Sequence, residues 1–404
     1  MRQYLSGTKA AAEAAKLAEV NVVAAYPITP QTSIVEYLAS FVANGELQAQ
    51  MIPVESEHSA MSATYGASLA GARTFTASSS QGLCLMHEVL FMASGLRLPI
   101  VMAVANRSLA SPVSIFADHQ DSLAQRDTGW LQFYVENCQE VLDTILLAFR
   151  VAEDQRVLLP VMVCFDGFYV SHISEPVDVP TSEQVKSFLP AFRANYPTLD
   201  LTSPKMFNVM AFPDSFEEFQ RDKHESMRKA TKVIKEAMDH FAQIFGRNYG
   251  MIETYRTEDA ELVLVGLGSM MGTVKASIDI LRSEGLKVGM AKIKAFRPFP
   301  FAELAEVLQN AKAVGVLDRD ISFGSTGIVY QEVLASLKHL EHEPLVLDLI
   351  AGLGGRDITV DTVVKSARLL QEASEAGYGK DRVIWVDANQ DLLDIWKVGA
   401  AHVG

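Results

Sequence analysis

Residues 51–58 read MIPVESEH, and residues 59–67 read SAMSATYGA. The apolar residues at the start are typical of a buried strand. The small residues that follow predict a helix with little side-chain bulk, which another backbone or a flat ligand can approach closely. The carboxylate of Glu57 lies at this junction, where it either interacts with the positive end of the helix dipole or is a buried acid with a chemical role. Glu57 is therefore the first candidate functional residue.

Strand and helix signals alternate on both sides of this junction. A strand such as 99–105, which has no polar residue, is typical of the centre of a parallel sheet. Regular alternation predicts a parallel sheet covered by helices on both faces. The predicted strands are 22–26, 51–54, 74–77, 99–105 and 161–165, and the predicted helices are 9–19, 33–42, 59–71, 83–93 and 139–153.

The alternation stops at about residue 171 and resumes at residue 261. Several prolines mark 171–250 as an irregular excursion and linker, which ends in a charged helix at 215–245. A length of 404 residues suits two or three domains. We therefore predict a first domain at 1–250 and a smaller α/β domain at 251–404. Its predicted strands are 262–265, 287–293, 314–317 and 345–349, and its predicted helices are 274–281, 301–308, 328–337 and 360–370.

Composition excludes several classes of function. The net charge of −14, with no basic block, argues against a nucleic-acid partner. The three cysteines, Cys84, Cys138 and Cys164, lie far apart in the sequence. We therefore expect that this chain by itself binds neither an iron–sulfur cluster nor a structural zinc ion. No apolar run approaches the ~18 residues of a membrane span, and the N-terminus lacks a signal core. We expect a cytoplasmic protein that does not bind a membrane.

Polar loops follow four of the predicted strands. Ligands of open parallel sheets bind at the carboxyl ends of the strands. Each loop also has a simpler explanation, because serines cap helices, prolines form turns and a single arginine is usually a surface charge. Four such loops on one sheet edge predict a binding site. They read YPITPQT at 26–32, ESEH at 55–58, SSSQG at 78–82, and NR at 106–107 with DHQD at 118–121.

The set of loops resembles the α component of the thiamine-diphosphate-dependent 2-oxoacid:ferredoxin oxidoreductases, in particular the pyruvate type built from separate subunits. The resemblance runs from about Gly7 to Ile395. It implies a pyrimidine-binding domain of the thiamine-enzyme type, with a doubly wound parallel sheet, followed by a smaller domain like the C-terminal domain of transketolase. The matching motifs are YPITP at 26–30, ESEH at 55–58, SSQGL at 79–83, DTGW at 127–130 and GLGGRD at 352–357.

The resemblance also implies roles for individual residues. Glu57 matches the glutamate that binds N1′ of the aminopyrimidine, where a shared proton favours the imino tautomer. Thr29 matches a threonine beside the substrate carboxylate. Arg107 matches the arginine that pairs with that carboxylate, for which a planar fork is well suited. Glu55, two residues before Glu57, is a weaker candidate for the same role. The other implied cofactor-binding residues are Tyr26, Pro27, Ile28, Ser80 and Gln81.

The sequence also predicts what partner subunits supply. Thiamine enzymes bind the diphosphate through Mg²⁺ with a Gly-Asp-Gly motif and a later asparagine, whereas 165–168 reads FDGF without that continuation. The resemblance therefore implies a β subunit that holds the diphosphate and Mg²⁺, and γ- and δ-type subunits that carry [4Fe-4S] clusters. It also implies ferredoxin as electron acceptor, CoA as co-substrate and a dimer of hetero-oligomers.

Two patterns imitate metal sites, and no metal ligand is assigned to this chain. The adjacent residues of DHQD at 118–121 cannot easily face one ion, so a hydrogen-bonded loop near the cofactor is favoured. Glu55 and His58 have the spacing of a Glu-x-x-His pair, but no second copy exists to complete a di-metal site.

The implied reaction is oxidative decarboxylation of a 2-oxoacid with CoA, which gives an acyl-CoA, CO₂ and reduced ferredoxin. Pyruvate is the default substrate, with aromatic, branched or dicarboxylic 2-oxoacids as alternatives. Two hypotheses from other classes stay open, a non-catalytic assembly subunit and a dinucleotide-dependent oxidoreductase. The second would use GLGSMMG at 266–272, but its last glycine is one residue late, and lysines stand at 292 and 294 where a ribose-binding acid is expected.

Overall fold

The computed structural model describes residues 1–377, 379 and 383–394. Ile395, the C-terminal limit of the resemblance, and the end of the predicted 251–404 domain lie outside these residues. The described strands are β1 Arg2–Ser6, β2 Val22–Ala25, β3 Gln50–Pro53, β4 Thr74–Ser78, β5 Val101–Asn106, β6 Leu131–Tyr134, β7 Val161–Asp166, β8 Ser174–Asp178, β9 Ile252–Tyr255, β10 Leu262–Gly266, β11 Val288–Ile293, β12 Ala295–Arg297, β13 Ala313–Asp318, β14 Leu345–Ile350 and β15 Val383–Trp385. The described helices are α1 Gly7–Leu17, α2 Thr32–Ala43, α3 Glu57–Leu69, α4 Ser80–Leu85, α5 His87–Gly95, α6 Gln120–Leu123, α7 Cys138–Ala152, α8 Ser182–Phe188, α9 Phe216–Phe245, α10 Met270–Ser283, α11 Phe301–Leu308, α12 Ile328–Leu337 and α13 Val360–Ala376.

The first sheet contains seven strands in the order β12-β6-β7-β5-β4-β2-β3. All of its pairs are parallel except β12 with β6. The central strands β5 and β7 are buried along their whole length, which explains why their sequences are apolar. The five strands predicted for this unit are present, but β6 was not predicted. The predicted helix 83–93 is interrupted at Met86, because residues 83–85 belong to α4 and residues 87–93 to α5.

The second sheet contains six strands in the order β15-β14-β13-β10-β11-β9, parallel except at β9. One hydrophobic cluster includes side chains of both sheets, among them Tyr134 of β6, Phe296 of β12 and Val316 of β13. In addition, β12 lies at the edge of the first sheet although its residues fall in the predicted second domain. The division at residue 250 stays a prediction, and the two α/β units share one hydrophobic cluster.

The excursion after residue 171 has structure of its own. Strand β8 pairs antiparallel with β1, and α9 packs against α7 and α8. Helix α9 ends at Phe245, and the next residue, Gly246, has a φ of 70° in the left-handed region, where glycine commonly terminates a helix. The helix predicted at 215–245 is therefore confirmed. None of the helices in the described part of the chain combines the length and apolar character that a membrane crossing requires.

A buried ionic network joins the two units. Lys292 and Lys294 are 1% exposed, and their ammonium groups lie 3.1 and 2.7 Å from the carboxylate oxygens of Glu140 on α7. Lys292 also pairs with Glu136 at 2.7 Å and with Glu253 at 2.5 Å. Burial alone would raise the pKa of Glu140, but the two ammonium groups lower it to about 2. These lysines therefore hold the two units together through ion pairs with acids of the first unit.

We expect Glu140→Gln to lower the free energy of unfolding by about 3–5 kcal/mol, because Lys294 loses its carboxylate partner in a buried position. Urea denaturation at pH 7 measures this change, with Glu217→Gln on the exposed face of α9 as the control. In the wild type the contribution of Glu140 is present above its unfolded pKa of about 4.3 and is lost as the pH falls toward its folded pKa of about 2. A change of less than about 1 kcal/mol would contradict the prediction.

Candidate active site

The predicted loops meet at the carboxyl edge of the first sheet. Glu57 follows β3, Ser80 follows β4 and Arg107 follows β5, and the loop after β2 carries Thr29. The Arg107 guanidinium reaches this last loop, since its Nη1 donates a hydrogen bond to Thr29 O at 3.1 Å. The fold thus brings the predicted site residues from four loops together.

Glu57 is the first residue of α3, and its side chain is buried, with 7% of the residue exposed. Ser56 caps the helix by accepting a hydrogen bond from Ser59 N at 3.2 Å. The Glu57 carboxyl has no hydrogen bond or ion pair with any other residue that the structure describes. Glu57 is therefore both an acid at a helix N-terminus and a buried acid, and it is free to bind a donor from outside the chain.

Gly82 leaves the space in which the Glu57 carboxyl lies. A Cβ atom added at Gly82 would be 2.5 Å from Glu57 Oε1, which is far inside van der Waals contact. A larger residue at position 82 would therefore displace the Glu57 side chain from its present position. A buried acid without a partner, beside backbone that has no side chain, fits the edge of a flat heterocycle such as an aminopyrimidine.

The two acids of ESEH differ in environment. Glu55 is exposed, and its carboxylate accepts a hydrogen bond from Ser59 Oγ, which lowers the pKa of Glu55. Glu57 is buried and Glu55 is exposed. Residues two positions apart in an extended segment share a face, so the difference arises because β3 ends at Pro53 and Glu57 begins α3. The chemical role of Glu57 stays a prediction.

Arg107 is half-buried, and protein carbonyl groups hold its guanidinium. Its Nε donates to Ser114 O at 3.1 Å, in addition to the bond to Thr29 O. No carboxylate of the described chain forms an ion pair with Arg107. Because two carbonyl oxygens orient the guanidinium without neutralising its charge, it is suited to bind a carboxylate from solution.

The predicted cofactor-binding residues occupy two environments. Ser80 is fully buried at the start of α4, where its Oγ lies 2.6 Å from Ser108 O and 2.5 Å from Gln81 Oε1. Gln81, Tyr26 and Pro27 are exposed, and Ile28 is half-buried. The latter four residues are accessible to a ligand, whereas Glu57 and Ser80 are buried.

The loop 118–121 is held by hydrogen bonds. Asp121 is fully buried and accepts four of them, and burial nevertheless raises the pKa of Asp121. Asp118 accepts hydrogen bonds from Gln120 N and Gly354 N, both at 3.1 Å, and burial raises the pKa of Asp118 to about 6. Among the described residues, no three His, Cys, Asp or Glu side chains are arranged to hold a metal ion.

The glycine-rich loop 266–272 binds the first unit. Ser269 donates from N at 2.9 Å and from Oγ at 2.5 Å to Asp166 Oδ2. Asp166 also pairs with His119 at 2.9 Å and Arg319 at 3.1 Å. Burial alone would raise the pKa of Asp166, but Arg319 and His119 lower it well below its usual range. The Ser269 N–H of this loop already donates to the buried Asp166 carboxylate. The geometry therefore argues against a dinucleotide diphosphate at this loop.

Comparison with known families decides the relationship. A family profile described as pyruvate flavodoxin/ferredoxin oxidoreductase, thiamine diphosphate-binding, matches residues 13–239, which is more than half of the chain. A second profile, pyruvate:ferredoxin oxidoreductase core domain II, matches residues 260–363. The chain belongs to the 2-oxoacid:ferredoxin oxidoreductase family. The predicted membership of this enzyme family as an α subunit is confirmed.

Relatives in this oxidoreductase family share about half of the sequence. Pyruvate synthase subunit PorA of Pyrococcus horikoshii is 50% identical over 393 residues, which cover 97% of this chain and all of the relative. PorA of Methanocaldococcus jannaschii is 50% identical over 387 residues, covering 95% and 97%. Ketoisovalerate oxidoreductase subunit VorA of Pyrococcus horikoshii is 49% identical over 386 residues, covering 95% and 98%. The relatives therefore include subunits named for two different 2-oxoacids.

Solved structures support the fold of this family member. The 2-oxoglutarate:ferredoxin oxidoreductase from Magnetococcus marinus, with 2-oxoglutarate, coenzyme A and succinyl-CoA bound, superposes with a TM-score of 0.71 at 20% identity. The match covers 91% of this chain, which spans 65% of the length of that chain. A split-gene transketolase superposes with a TM-score of 0.53 at 13% identity. The predicted fold class, a thiamine-enzyme α/β fold with a transketolase-like second part, is confirmed.

Sequence reasoning missed the residues that connect the loops of this candidate site. Asp121 was considered only as one member of DHQD, and Arg319 was not considered. The sequence nevertheless contained a signal for them. Asp166 comes directly after the apolar run 161–165, and Asp318, Arg319 and Asp320 come directly after the apolar run 313–317. All four are buried, and a buried charge needs a partner.

Proposed function

We propose that this chain is the α subunit of a multi-subunit 2-oxoacid:ferredoxin oxidoreductase and forms the pyrimidine-binding half of its thiamine diphosphate site. One observation carries the proposal: Glu57 is buried, has no partner in the described chain and lies against Gly82 at the edge where Arg107 and Thr29 also lie. When bound, thiamine diphosphate supplies a nucleophilic carbon for attack on a 2-oxo group. Glu57 then holds and shares a proton at N1′ of the pyrimidine.

Arg107 and Thr29 orient the substrate in this proposal. The guanidinium binds the carboxylate of the 2-oxoacid, and the exposed Thr29 adds a hydroxyl at the same edge. Fixing the carboxylate restricts the orientation of the neighbouring carbonyl carbon. Such positioning lowers the entropic part of the activation barrier.

Partner subunits complete the enzyme. The chain lacks a Gly-Asp-Gly motif, and Asp166 of FDGF is already paired with His119 and Arg319. We infer that a β subunit holds the diphosphate and Mg²⁺ and that γ- and δ-type subunits carry the [4Fe-4S] clusters. The curated relatives are named as subunits, which supports this organisation. Coenzyme A as co-substrate has support in the solved 2-oxoglutarate enzyme, which contains it.

The preferred substrate in this proposal is a 2-oxoacid with one carboxylate, pyruvate first and a branched 2-oxoacid second. Residues 108–117 follow Arg107 and read SLASPVSIFA, without a charged residue. Their side chains Val113, Ile115 and Phe116 are exposed near the Arg107 clamp, whose Nε binds Ser114 O. This loop offers no second cation for a dicarboxylic substrate, and the names of the PorA and VorA relatives favour the same two substrates.

Anaerobic purification of the complex, with mass spectrometry of its subunits, allows the proposal to be tested. Viologen reduction is measured with CoA and pyruvate, 2-oxoisovalerate, phenylpyruvate or 2-oxoglutarate. We expect kcat/KM to be highest for pyruvate and at least about tenfold lower for 2-oxoglutarate, whose second carboxylate would be desolvated without a partner. A preference for 2-oxoglutarate would overturn the substrate assignment alone, whereas no reduction with any 2-oxoacid would contradict the proposed function.

A further inference from the structure

One carboxylate oxygen of Asp121 binds two segments of the candidate site. Asp121 Oδ2 accepts hydrogen bonds from Ser80 N at 2.9 Å and from Arg107 N at 3.0 Å. Ser80 lies 27 positions before Arg107 and on a different strand–helix connection. The same carboxylate oxygen therefore holds both segments.

The other oxygen of Asp121 is also fully used. Asp121 Oδ1 accepts from Asn106 Nδ2 at 2.7 Å and from Ser122 N at 2.8 Å. An ionised carboxyl group offers about four acceptor positions, and here four donors occupy them in a site closed to solvent. The side chain cannot rotate without breaking several of these bonds at once.

Both anchored segments carry site groups. Ser80 has a φ of 49°, a left-handed conformation that residues other than glycine rarely adopt. Two residues later, Gly82 lies against the Glu57 carboxyl. On the other segment, the Arg107 side chain extends toward Thr29. A displacement of Asp121 would therefore move two segments at once: the backbone next to Glu57 and the backbone that carries the Arg107 side chain.

We propose that Asp121 is a positioning residue that fixes the Arg107 clamp and the Ser80–Gly82 backbone relative to each other, and so aligns substrate and cofactor. The inference rests on the proposed function. Asp121 touches neither ligand, and it acts through the two backbone amides that it binds. Its role differs from that of Glu57, which binds the cofactor, and from that of Arg107, which binds the substrate.

Asp121→Asn tests this role because asparagine keeps the size of the side chain and replaces one acceptor oxygen by an amide donor. That amide would face two donors, so at least two of the four hydrogen bonds are lost. We expect KM for pyruvate to rise about tenfold and kcat to fall in the same variant. In the isolated chain, without cofactor, we expect faster hydrogen exchange at the amides of Ser80 and Arg107, measured by mass spectrometry.

Asp118→Asn is the matched control, because its buried carboxyl in the same loop binds Gly354 N and Gln120 N and neither of the two site segments. A purely structural role would reduce the amount of folded protein without changing KM. If Asp121→Asn does not fold, Asn106→Ser removes one donor to Asp121 and leaves its carboxylate in place. We expect this milder variant to change KM and amide exchange in the same direction.

The outcomes separate the inference from the proposed function. Unchanged KM and unchanged exchange of the two amides in Asp121→Asn would overturn the positioning role, as would equal changes in Asp118→Asn. If Arg107→Ala raises KM and Glu57→Gln lowers kcat while Asp121→Asn has no effect, only the inference fails. If Arg107→Ala and Glu57→Gln also leave both constants unchanged, the proposed function fails.

Discussion

Glu57→Gln is expected to slow exchange of the C2 proton of bound thiamine diphosphate by about 10²–10⁴-fold, the range of a lost general acid–base group. Glutamine has nearly the same volume and still fits beside Gly82, where Glu57 Oε1 leaves no room for a side chain. It can form a hydrogen bond to N1′ but cannot share a proton with it. Deuterium exchange at C2 in the assembled complex, followed by quench and NMR, measures the effect.

Glu55→Gln is the control for this experiment because it changes the same charge two residues away, on an exposed side chain. We expect its exchange rate to equal that of the wild type. Thermal unfolding of both variants should be similar, because the Glu57 carboxyl makes no hydrogen bond or ion pair within the described chain. A wild-type exchange rate in Glu57→Gln would show that another group activates the cofactor, and a slow rate in Glu55→Gln would identify that group.

The arrangement of the sheets was predictable because burial on both faces demands apolar strands. Strands such as β5 and β7 have no solvent face, so their sequences stand out from the helices that cover them. Strand β12 was missed because it has three residues and pairs antiparallel at the edge of the first sheet. The nearby Lys292 and Lys294 would be predicted at the surface because they are charged. Both are buried instead, and each forms an ion pair with an acid that is distant in sequence.

The sequence allowed us to predict that the polar loops meet at one sheet edge, but not the hydrogen bonds that connect them. Polar loops at strand ends point to one sheet edge, and the fold brings Thr29 and Arg107 within hydrogen-bonding distance there. The link through Asp121 joins residues 80, 106, 107 and 122, and nothing in the spacing of the sequence shows that one carboxylate receives all four donors. Tertiary hydrogen bonds of this kind depend on loop conformation, which local sequence patterns do not determine.

Arg107→Ala is expected to raise KM for the 2-oxoacid about tenfold to a hundredfold. A hydrogen bond to a charged group contributes about 1.5–3 kcal/mol, and each 1.4 kcal/mol corresponds to about a factor of ten in affinity. The guanidinium is available for this contact, because its described partners are the neutral carbonyl groups of Ser114 and Thr29. Steady-state kinetics with pyruvate and 2-oxoisovalerate measure the change, while cofactor affinity should stay constant.

Arg107→Lys separates charge from shape at this position. Lysine keeps the positive charge but loses the planar fork that binds both oxygens of a carboxylate, so we expect KM between those of the wild type and Arg107→Ala. Arg221→Ala, on the exposed face of α9, removes the same charge far from the sheet edge and should leave KM unchanged. If KM is unchanged in both Arg107 variants, the carboxylate is bound elsewhere, because a desolvated carboxylate that loses its cation cannot keep its affinity.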